Sequence, residues 1–402
     1  MNISVIGLGK LGSPMAAIFA SKGHKVIGVD VDQSKVDAIN QGKAPVDETG
    51  LQELMDSLLT RTLLTATTDI HQAIIDTDIT FVVTATPSNE DGSYSIEYVL
   101  KACNEIAEVL IDKNYHPIVI TSTVLPGQTH EIIKHIENRC GRRNGFGFNV
   151  YYNPEFIALG SVIHDFKNPD MLLIGNDNPE FGQTLLEIYH SVCENNPTIC
   201  TMNIVNAELT KIALNSYVTT KISYANMLRR LCEKIPGANV DIVTDALGCD
   251  SRIGKKYLKG AVSYGGPCFP RDNRALSFVA EKVEVYAPFP KITHEYNEHI
   301  IQHAGWLTWM NGDSAMVVGL SYKPETVITE ESFGIKLQEE LNSLGLPNKG
   351  WDSDVIILAL PKLLFKSLDS FKDKVVIDCW RAYPLLESVC RKYIPLGVGR
   401  KQ

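Results

Sequence analysis

One cysteine of this chain lies in a segment whose composition favours a reactive thiol. Cys268 is flanked by two glycines and two prolines within Tyr264–Asp272, and a helical pattern over Arg274–Glu281 follows. A nearby helix N-terminus and the guanidinium of Arg271 both lower the pKa of a thiol and make it more nucleophilic. The alternatives are a buried small hydrophobe for the cysteine and a helix cap for Asp272. We predict that Cys268 is a nucleophile and that the other eight of the nine cysteines are structural.

A lysine and an amide side chain share one face of a predicted helix. The stretch Asn203–Glu233 contains neither glycine nor proline, and apolar residues recur in it near helical spacing. Lys211 and Asn215 are four residues apart in this stretch, so their side chains lie on the same face. An ammonium and a carboxamide in that arrangement can bond an oxygen on which negative charge develops. A solvated helix face is the alternative for both residues.

Polar residues also follow two predicted strands. Glu155 lies in Asn153-Pro154-Glu155-Phe156 after one strand and can supply a general-base carboxylate, and Thr123 follows another strand. Taken alone, each residue fits an ordinary loop better than a catalytic role. The carboxyl ends of parallel strands are where α/β folds bind their ligands. The histidines show no spacing typical of a metal site, so we predict that there is none.

The N-terminal residues carry a glycine pattern typical of dinucleotide binding. Gly7, Gly9 and Gly12 follow a strand and open a helix, which brings a pyrophosphate close to unpaired backbone N–H groups. Asp30 ends the second strand, where a carboxylate can bond a ribose 2′-hydroxyl and repels a 2′-phosphate. The pattern therefore predicts a Rossmann-type domain that binds NAD rather than NADP. A strand–helix turn without a ligand is the alternative.

The elements that position these residues alternate between strand and helix in the first half of the chain. Candidate strands are Ile3–Ile6, Lys25–Val29, Ile79–Val83, Pro117–Thr121 and Met171–Ile174. Helical patterns lie between them, for example over Leu11–Ser21 and Ile96–Leu110. This alternation predicts βαβ units and a parallel sheet.

The second half begins with the long helix and returns to strands near its end. Strand patterns occur at Ala315–Leu320, Val355–Ala359 and Val375–Ile377. Lys323, after the first of them, can contact a phosphate or sugar oxygen, and a surface lysine in a loop is the alternative. We therefore predict an α/β fold in three parts. These are an NAD-binding domain over 1–202, a central helical region with the long helix over 203–310, and a smaller Rossmann-like α/β domain over 311–402.

Composition excludes several other classes of protein. The chain has 402 residues, of which 44% are hydrophobic, and a formal net charge of −9. These values are typical of a globular protein of two or three domains and argue against a general nucleic-acid surface. No apolar run approaches the roughly 18 residues of a membrane helix, and the first residues read as a strand rather than a signal peptide. An odd, scattered set of cysteines favours a reducing compartment, so we expect a cytoplasmic enzyme without a membrane or nucleic-acid partner.

Taken in order, these motifs resemble those of the nucleotide-sugar 6-dehydrogenases, the family of UDP-glucose and GDP-mannose dehydrogenases. The resemblance covers nearly the whole chain. The segments that carry it are Gly7–Gly12, Thr86-Pro87, Ser122–Gly127, Asn153–Phe156, Ala207–Lys211 with Asn215, Asp250–Gly254, the loop around Cys268, and Gly319–Pro324. A series of ordered motifs is much more specific than any one of them.

The resemblance implies a four-electron oxidation. Members of the family oxidise the sugar C6 alcohol to a carboxylate with two NAD⁺, and UDP-glucose is the substrate that we expect here. By this analogy the first hydride transfer gives an aldehyde, which Cys268 traps as a thiohemiacetal, and the second gives a thioester that water hydrolyses. Lys211 and Asn215 would hold the C6 oxygen, Asp272 with Thr123 would position a water or accept a proton, and Glu155 would assist hydrolysis.

The resemblance also assigns binding residues and a homodimer formed through the central helix. Arg252 would reach the sugar nucleotide of the other subunit, and Lys323 would contact substrate from the C-terminal domain. The cofactor residues it implies are Gly7, Gly9, Lys10, Leu11, Gly12, Asp30, Lys35, Thr86, Thr123 and Arg271. The substrate residues it implies are Glu155, Phe156, Lys211, Asn215, Arg252, Tyr264, Gly265 and Lys323.

The chain departs from the usual family pattern at four positions. Leu159 stands where a glutamate near the nicotinamide is common, and Glu330 where an arginine near the cofactor phosphates is common. Met171 stands in place of an arginine, and Arg271 in place of a lysine. No residue distinguishes gluco from manno sugars or uracil from guanine.

Two other functions are compatible with parts of the sequence. A two-electron dehydrogenase of the 6-phosphogluconate or hydroxyacid type shares the NAD domain, the long helix and a Lys–Asn pair, but it has no need of Cys268. A non-catalytic nucleotide-sugar-binding protein would account for Leu159 and Glu330, but it leaves Cys268, Lys211 and Asp272 without a task. The yield of NADH per sugar separates the three functions, since it is two, one or none.

Overall fold

The computed structural model describes residues 1–59, 61–178 and 182–399. The chain divides into two units, Met1–Lys211 and Ile212–Gln402, and each is described by itself. The division into 1–202, 203–310 and 311–402 that the sequence suggests stays a prediction. Among the described helices, none is both long enough and apolar enough to cross a membrane.

The described part of the first unit is built on a nine-stranded sheet. Its strands are β1 (Asn2–Ile6), β2 (Lys25–Val29), β3 (Leu64–Thr67), β4 (Ile79–Val82), β5 (His116–Ile120), β6 (Arg143–Asn144), β7 (Gly147–Tyr152), β8 (Met171–Gly175) and β9 (Thr198–Met202). They follow the order β3-β2-β1-β4-β5-β7-β8-β9, and β6 pairs with β7. The pairing is parallel apart from β7 with β8, which are antiparallel at Tyr152 and Gly175. The strand order reverses between β1 and β4, and such a reversal opens a crevice for ligands at the carboxyl ends of the strands.

Helices cover both faces of this sheet. They are α1 (Gly12–Ser21), α2 (Gln33–Asn40), α3 (Leu51–Asp56), α4 (Ile70–Ile75), α5 (Glu97–Leu110), α6 (Gln128–Cys140), α7 (Val162–Lys167) and α8 (Gln183–Val192). One buried cluster contains Phe19, Phe81 and Tyr189, and a second contains Ile106 and Ile132. Parallel strands buried on both faces in this way are fixed by their apolar side chains, so the loops at their ends are held in place.

A single helix of 31 residues, α9 (Ile204–Lys234), runs from the first unit into the second. At 1.5 Å per residue it is about 46 Å long. The sequence prediction of a helix over Asn203–Glu233 is confirmed to within one residue at each end. The helix carries Lys211 at the end of the first unit and Asn215 near the start of the second.

The second unit contains a helical part and a small sheet. Its further elements are α10 (Val240–Gly248), α11 (Phe269–Lys282), α12 (Phe289–Trp309), β10 (Ala315–Val318), α13 (Phe333–Ser343), β11 (Val355–Leu358), β12 (Val375–Asp378) and β13 (Lys392–Pro395). The four strands are parallel, in the order β10-β11-β12-β13. Leu337 of α13 and Ile301 of α12 share one buried cluster with Val355 and Ile357 of β11. The predicted second α/β part is therefore confirmed, although β13 was not predicted.

The start of α11 differs from the sequence prediction. The helix begins at Phe269 rather than at Arg274, and Cys268 is its N-cap residue. Pro270 makes the segment look like a loop, but proline is compatible with the first turn of a helix because the N–H there has no intrahelical partner. Asp272 consequently lies in the first turn, so the alternative that it caps the helix is wrong.

Candidate active site

The glycine turn after β1 has a different steric requirement at each glycine. Gly7 has a φ of +98°, and a Cβ atom there would lie 2.7 Å from the Val83 carbonyl oxygen. A Cβ atom on Gly12 would lie 1.8 Å from the Gly7 carbonyl oxygen, whereas one on Gly9 meets nothing within 4 Å. Gly7 and Gly12 are thus required by the fold itself, and Gly9 faces open space. This is the arrangement expected of a turn that leaves room for a pyrophosphate at its second glycine.

The carboxylate of Asp30 is tied to this turn. Its Oδ2 accepts a hydrogen bond from the backbone N–H of Leu8 at 2.7 Å, and its Oδ1 accepts one from Asp32 N–H at 2.9 Å. Lys35 Nζ lies 3.2 Å from Oδ2, so this predicted cofactor residue lies beside the carboxylate. Asp30 is thereby positioned at the carboxyl end of β2, where its oxygens can bond ribose hydroxyls.

Threonines lie beyond β4 and β5 on the same edge of the sheet. Thr86 Oγ1 donates to the Thr123 carbonyl oxygen at 2.8 Å, so the two predicted residues are in contact. Lys10 is exposed in the turn and Leu11 is the N-cap residue of α1. Of the predicted cofactor residues, Arg271 lies in the second unit and the others in the first. The first unit therefore has the features that an NAD site needs: a turn open at Gly9, a placed carboxylate and polar strand ends.

Lys211 is buried rather than solvated. Its side chain comes from α9, and the residue is 7% exposed. Its Nζ donates to the Glu155 backbone carbonyl oxygen at 2.5 Å and lies 4.5 Å from the centre of the Phe156 ring. The structure therefore brings Lys211, Glu155 and Phe156 together, and the alternative of a solvated helix face is wrong for Lys211.

Glu208, one turn before Lys211, fixes this part of α9. Its carboxylate accepts hydrogen bonds from the backbone N–H groups of Gly127 at 2.7 Å and Thr129 at 2.8 Å. Burial raises the pKa of Glu208, and these bonds at the start of α6 act in the opposite direction. The sequence analysis included Glu208 in a motif without giving it a role. Its position shows that it connects α9 to α6 and so places Lys211.

Glu155 is partly buried beneath α8. Tyr189 Oη lies 2.9 Å from Glu155 Oε1 and also contacts Asn153 Oδ1. Burial raises the pKa of Glu155 to about 7, against the bond from Tyr189 and the charge of Lys211, which lower it. A carboxyl with that pKa can act as an acid or a base near neutrality. No motif in the sequence points to Tyr189, because it lies 34 residues from Glu155 in the chain, on α8.

The second unit places Cys268, Asp272 and Asn215 near the start of α11. Cys268 is exposed, and its carbonyl oxygen accepts the Asp272 N–H at 2.9 Å. Asn215 Nδ2 donates to Asp272 Oδ2 at 2.6 Å, and the residues are 7% and 2% exposed. Arg271 Nε lies 3.6 Å from Asp272 Oδ1. The nine cysteines all lie in described ranges, and all are thiols rather than disulfides.

Asn273 holds this arrangement together and was missed by the sequence analysis. Its Oδ1 accepts from Ser216 Oγ of α9 at 2.8 Å, and its Nδ2 donates to Thr219 Oγ1 at 2.8 Å. The same amide lies 3.2 Å from the Tyr264 hydroxyl. Burial raises the pKa of that hydroxyl, so it stays protonated. Through Asn273, Tyr264 therefore helps to hold the start of α11 against α9.

The glycine pair before Cys268 packs on the segment that departs from the family pattern. A Cβ atom on Gly265 would lie 2.2 Å from the Glu331 carbonyl oxygen, and Gly266 N–H donates to the Glu330 carbonyl oxygen at 3.0 Å. The backbone of Glu330 therefore positions the cysteine loop, and this contact does not depend on which side chain residue 330 carries. Lys323 Nζ lies 5.7 Å from the Tyr322 ring centre, and a Cβ atom on Gly266 would lie 2.9 Å from the same ring.

Arg252 lies apart from these groups in the second unit. Its side chain is 86% exposed and pairs with Asp250, with Nη2 2.7 Å from Oδ2. Such a pair presents a guanidinium at the surface. Nothing in the structure explains the departures Leu159 and Met171.

One histidine of α4 and two glutamates of α5 form a cluster of the kind that can bind a metal ion. His71 Nε2 lies 3.0 Å from Glu105 Oε2 and 3.3 Å from Glu108 Oε2, and Arg139 binds the other Glu108 oxygen at 2.5 Å. These three groups are near enough to hold an ion, although exposed carboxylates commonly stand without one. The expectation that there is no metal stays a prediction.

The chain is similar to known dehydrogenases over most of its length. Residues 1–193 match the NAD-binding domain and residues 205–299 the central domain of the UDP-glucose/GDP-mannose dehydrogenase family. The UDP-glucose 6-dehydrogenase AglM of Haloferax volcanii is 35% identical over 361 residues, which are 88% of this chain and 83% of that protein. The chain belongs to the UDP-glucose/GDP-mannose dehydrogenase family.

Relatives within this dehydrogenase family differ in the sugar nucleotide they are named for. A GDP-mannose 6-dehydrogenase of Pseudomonas syringae is 34% identical over 88% of this chain and 81% of its own length. The structure of a UDP-glucose dehydrogenase from Pyrobaculum islandicum superposes with a TM-score of 0.86 at 28% identity, covering 99% of this chain and 98% of that one. The chain is therefore an NAD-dependent nucleotide-sugar dehydrogenase, and its cofactor is NAD.

Proposed function

We propose that this dehydrogenase oxidises the C6 hydroxyl of a nucleotide-linked hexose, UDP-glucose, to the carboxylate through a covalent thioester on Cys268. The observation that carries the proposal is the start of α11, where the exposed Cys268 is the N-cap residue, one turn before the buried Asp272–Asn215 pair. An exposed thiol at a helix N-terminus is suited to nucleophilic attack, since the helix dipole favours the thiolate. A two-electron dehydrogenase has no use for this thiol.

The first oxidation needs a proton acceptor and a group that holds the C6 oxygen. Lys211 and Asn215 lie four residues apart on α9 and serve as donors to that oxygen as negative charge develops on it. Asp272 positions a water or accepts the proton of the hydroxyl, a role that the family resemblance also gives to Thr123. Bound NAD⁺ takes up the hydride in this oxidation and in the second one.

The aldehyde stays bound because Cys268 adds to it. The sulfur forms a bond to C6, the carbonyl oxygen becomes an alkoxide that Lys211 and Asn215 stabilise, and a proton completes the thiohemiacetal. Loss of hydride from C6 then gives a thioester, in which C6 has the oxidation level of a carboxylic acid. The aldehyde therefore never leaves the protein.

Hydrolysis releases the product. A water attacks C6 of the thioester and the C–S bond breaks. The thiol of Cys268 is restored, and the sugar nucleotide leaves with C6 as a carboxylate. Glu155 acts as the base for this water, and its pKa of about 7 suits a group that must accept a proton near neutrality. The sum is one alcohol, one water and two NAD⁺ converted to one carboxylate, two NADH and three protons.

We further propose a homodimer formed through α9. Tyr217, Tyr224 and Leu231 recur every seven residues on this helix and are 66%, 50% and 50% exposed. An apolar stripe at that spacing is suited to packing against a second helix. Arg252, which is exposed, then contacts the sugar nucleotide of the other subunit, while Lys323, with Tyr264 and Gly265, contacts substrate within its own subunit.

The experiment is to measure NADH formed per sugar consumed with UDP-glucose, GDP-mannose and other nucleotide hexoses. Wild-type protein is expected to give two NADH with UDP-glucose. The Cys268→Ser variant is expected to form no uronate, and Cys249→Ser is the matched control because it also removes an exposed thiol. One NADH with a released aldehyde would contradict the thioester, and two NADH only with GDP-mannose would contradict the substrate.

A further inference from the structure

Three polar side chains meet where β7 ends beneath α8. Asn153 follows the last residue of β7, Glu155 lies two residues later, and Tyr189 comes from α8. Tyr189 is 1% exposed, and its hydroxyl contacts both Asn153 Oδ1 and, at 2.9 Å, Glu155 Oε1. Since one hydroxyl connects two oxygens, the number of protons in the group determines which contacts are hydrogen bonds.

The orientation of the Asn153 amide is fixed by the strand beside it. Its Nδ2 donates to the Leu173 carbonyl oxygen in β8 at 2.9 Å. The amide oxygen must therefore be the atom that faces Tyr189, and it can only accept. Asn153 is 1% exposed, so solvent does not compete for this oxygen.

The proton count differs between the two forms of Glu155. A tyrosine hydroxyl carries one proton and can donate to one oxygen. If Glu155 is ionised, Tyr189 can donate its proton either to the carboxylate or to Asn153 Oδ1. The oxygen that receives no proton then faces a lone pair of the Tyr189 hydroxyl. If Glu155 is protonated, it donates to Tyr189 Oη while Tyr189 donates to Asn153 Oδ1, and both contacts are hydrogen bonds.

We propose that Asn153 is a positioning residue that competes with Glu155 for the Tyr189 proton and thereby favours the neutral carboxylic acid of Glu155 in the resting protein. Loss of the Glu155 proton to water requires the Tyr189 proton to turn from Asn153 Oδ1 to Glu155 Oε1, which leaves the buried Asn153 oxygen without a donor. The two residues therefore act in opposite directions, since Tyr189 stabilises the carboxylate and Asn153 competes for the same proton. The catalytic importance of this state rests on the proposed function of Glu155 as the base in hydrolysis.

Two other titratable groups face Glu155, and the positive charge of one of them, Lys211, lowers the pKa of Glu155. Lys211 from α9 directs its Nζ to the backbone carbonyl of Glu155 rather than to the carboxylate. Cys193, which directly follows the last residue of α8, has its pKa raised to about 11 by burial and by Glu155, so it adds no charge near neutrality. Burial has the larger effect and raises the pKa of Glu155 to about 7 against the opposing effects of Tyr189 and Lys211. No described group in the first unit forms an ion pair with the carboxylate.

The test is infrared difference spectroscopy of the purified protein, titrated from pH 5 to pH 9 without sugar. The protonated carboxyl band of Glu155 is assigned by its absence in Glu155→Gln. In wild-type protein the band is expected below neutrality and lost with a midpoint near 7. Tyr189→Phe should move the midpoint upward by about one pH unit or more, because the carboxylate loses a charge-assisted bond. Asn153→Ala should move it downward, because the Tyr189 proton is then available to the carboxylate.

Several results would overturn the proposal. They are absence of the band at pH 6 in wild-type protein, an unchanged midpoint in Tyr189→Phe, or shifts in the same direction in both variants. If Asn153→Ala does not fold, Asn153→Leu takes its place, because leucine has a similar shape and lacks the amide oxygen that competes for the Tyr189 proton. The acidic limb of the rate of uronate formation should follow the infrared midpoint in Tyr189→Phe. Full uronate formation by Glu155→Gln would contradict the proposed function, but it would leave the infrared result and this proposal standing.

Discussion

Substitution of alanine at Gly12 and at Gly9 separates two roles of the glycine turn. In Gly12→Ala the new Cβ would lie 1.8 Å from the Gly7 carbonyl oxygen, and no side chain can move to relieve a contact with backbone. The turn and the start of α1 must therefore separate by more than an ångström. In Gly9→Ala the Cβ meets nothing within 4 Å, so the fold has no reason to change.

The magnitudes follow from the two contacts. Overpacking a tight site lowers the free energy of unfolding by about 1–3 kcal/mol. Alanine in place of glycine in a helix raises it by up to about 1 kcal/mol. Because both partners at Gly12 are backbone, we expect the upper part of that range and a net loss of about 2 kcal/mol. For a unit of 211 residues this corresponds to about 4–8 °C in the unfolding temperature. Gly9→Ala should leave the unfolding temperature of the protein without NAD unchanged.

The assays are thermal unfolding without cofactor and calorimetric titration with NAD⁺. Gly9→Ala should bind NAD⁺ at least about 10-fold more weakly, since a methyl group of this kind excludes close approach of the pyrophosphate. An unchanged unfolding temperature for Gly12→Ala would show that the packing argument at Gly7 is wrong. Unchanged affinity for Gly9→Ala would show that the pyrophosphate does not approach this glycine.

Three further predictions concern the site. Lys211→Ala should lower kcat about 10²–10³-fold with the sugar nucleotide at saturation, as expected for loss of an oxyanion donor, and a near-normal kcat would contradict that role. Glu155→Gln should unfold at a progressively higher temperature than wild-type protein as the pH rises from 4.5 to about 7, because over that range the folded wild-type carboxyl stays protonated while the unfolded one ionises. A difference that is constant with pH would contradict the raised pKa. Co-expressed Cys268→Ser and Arg252→Ala chains should recover about a quarter of wild-type activity, since half of the dimers are mixed and each mixed dimer has one complete site. No recovery would contradict the contact of Arg252 across the dimer.

The fold was predictable wherever a local pattern decided it. Strands β1 and β2, helix α9 and the return to strands after residue 310 all followed from apolar spacing that a single segment displays. The start of α11 was placed five residues late, because Gly265, Pro267 and Pro270 are typical of a loop. Proline in a first turn is compatible with both structures, and only the continuing hydrogen bonds of the helix distinguish them. Strand β13 was missed because its short Lys392–Pro395 segment has no alternating pattern.

The site was predictable in its chemistry but not in its support. Cys268, Asp272, Lys211 and Asn215 could be selected because thiols, carboxylates and amines at helix spacing have few structural uses. The residues that hold them, such as Asn273, are ordinary polar residues with no motif. Their role depends on partners more than 50 positions away in the sequence, since Asn273 bonds Ser216 across 57 residues.

The sequence by itself determined which groups are available: the glycine turn, Asp30, one thiol at a helix start and a lysine four residues from an asparagine. These follow from local spacing, because the geometry of a turn or of one helix is set by residues close in the chain. Only the tertiary structure decided that Lys211 is buried against Phe156, that Glu155 has a raised pKa, and that Tyr189 shares its proton with Asn153. Burial and proton sharing depend on which distant segments meet, and no local spacing encodes that.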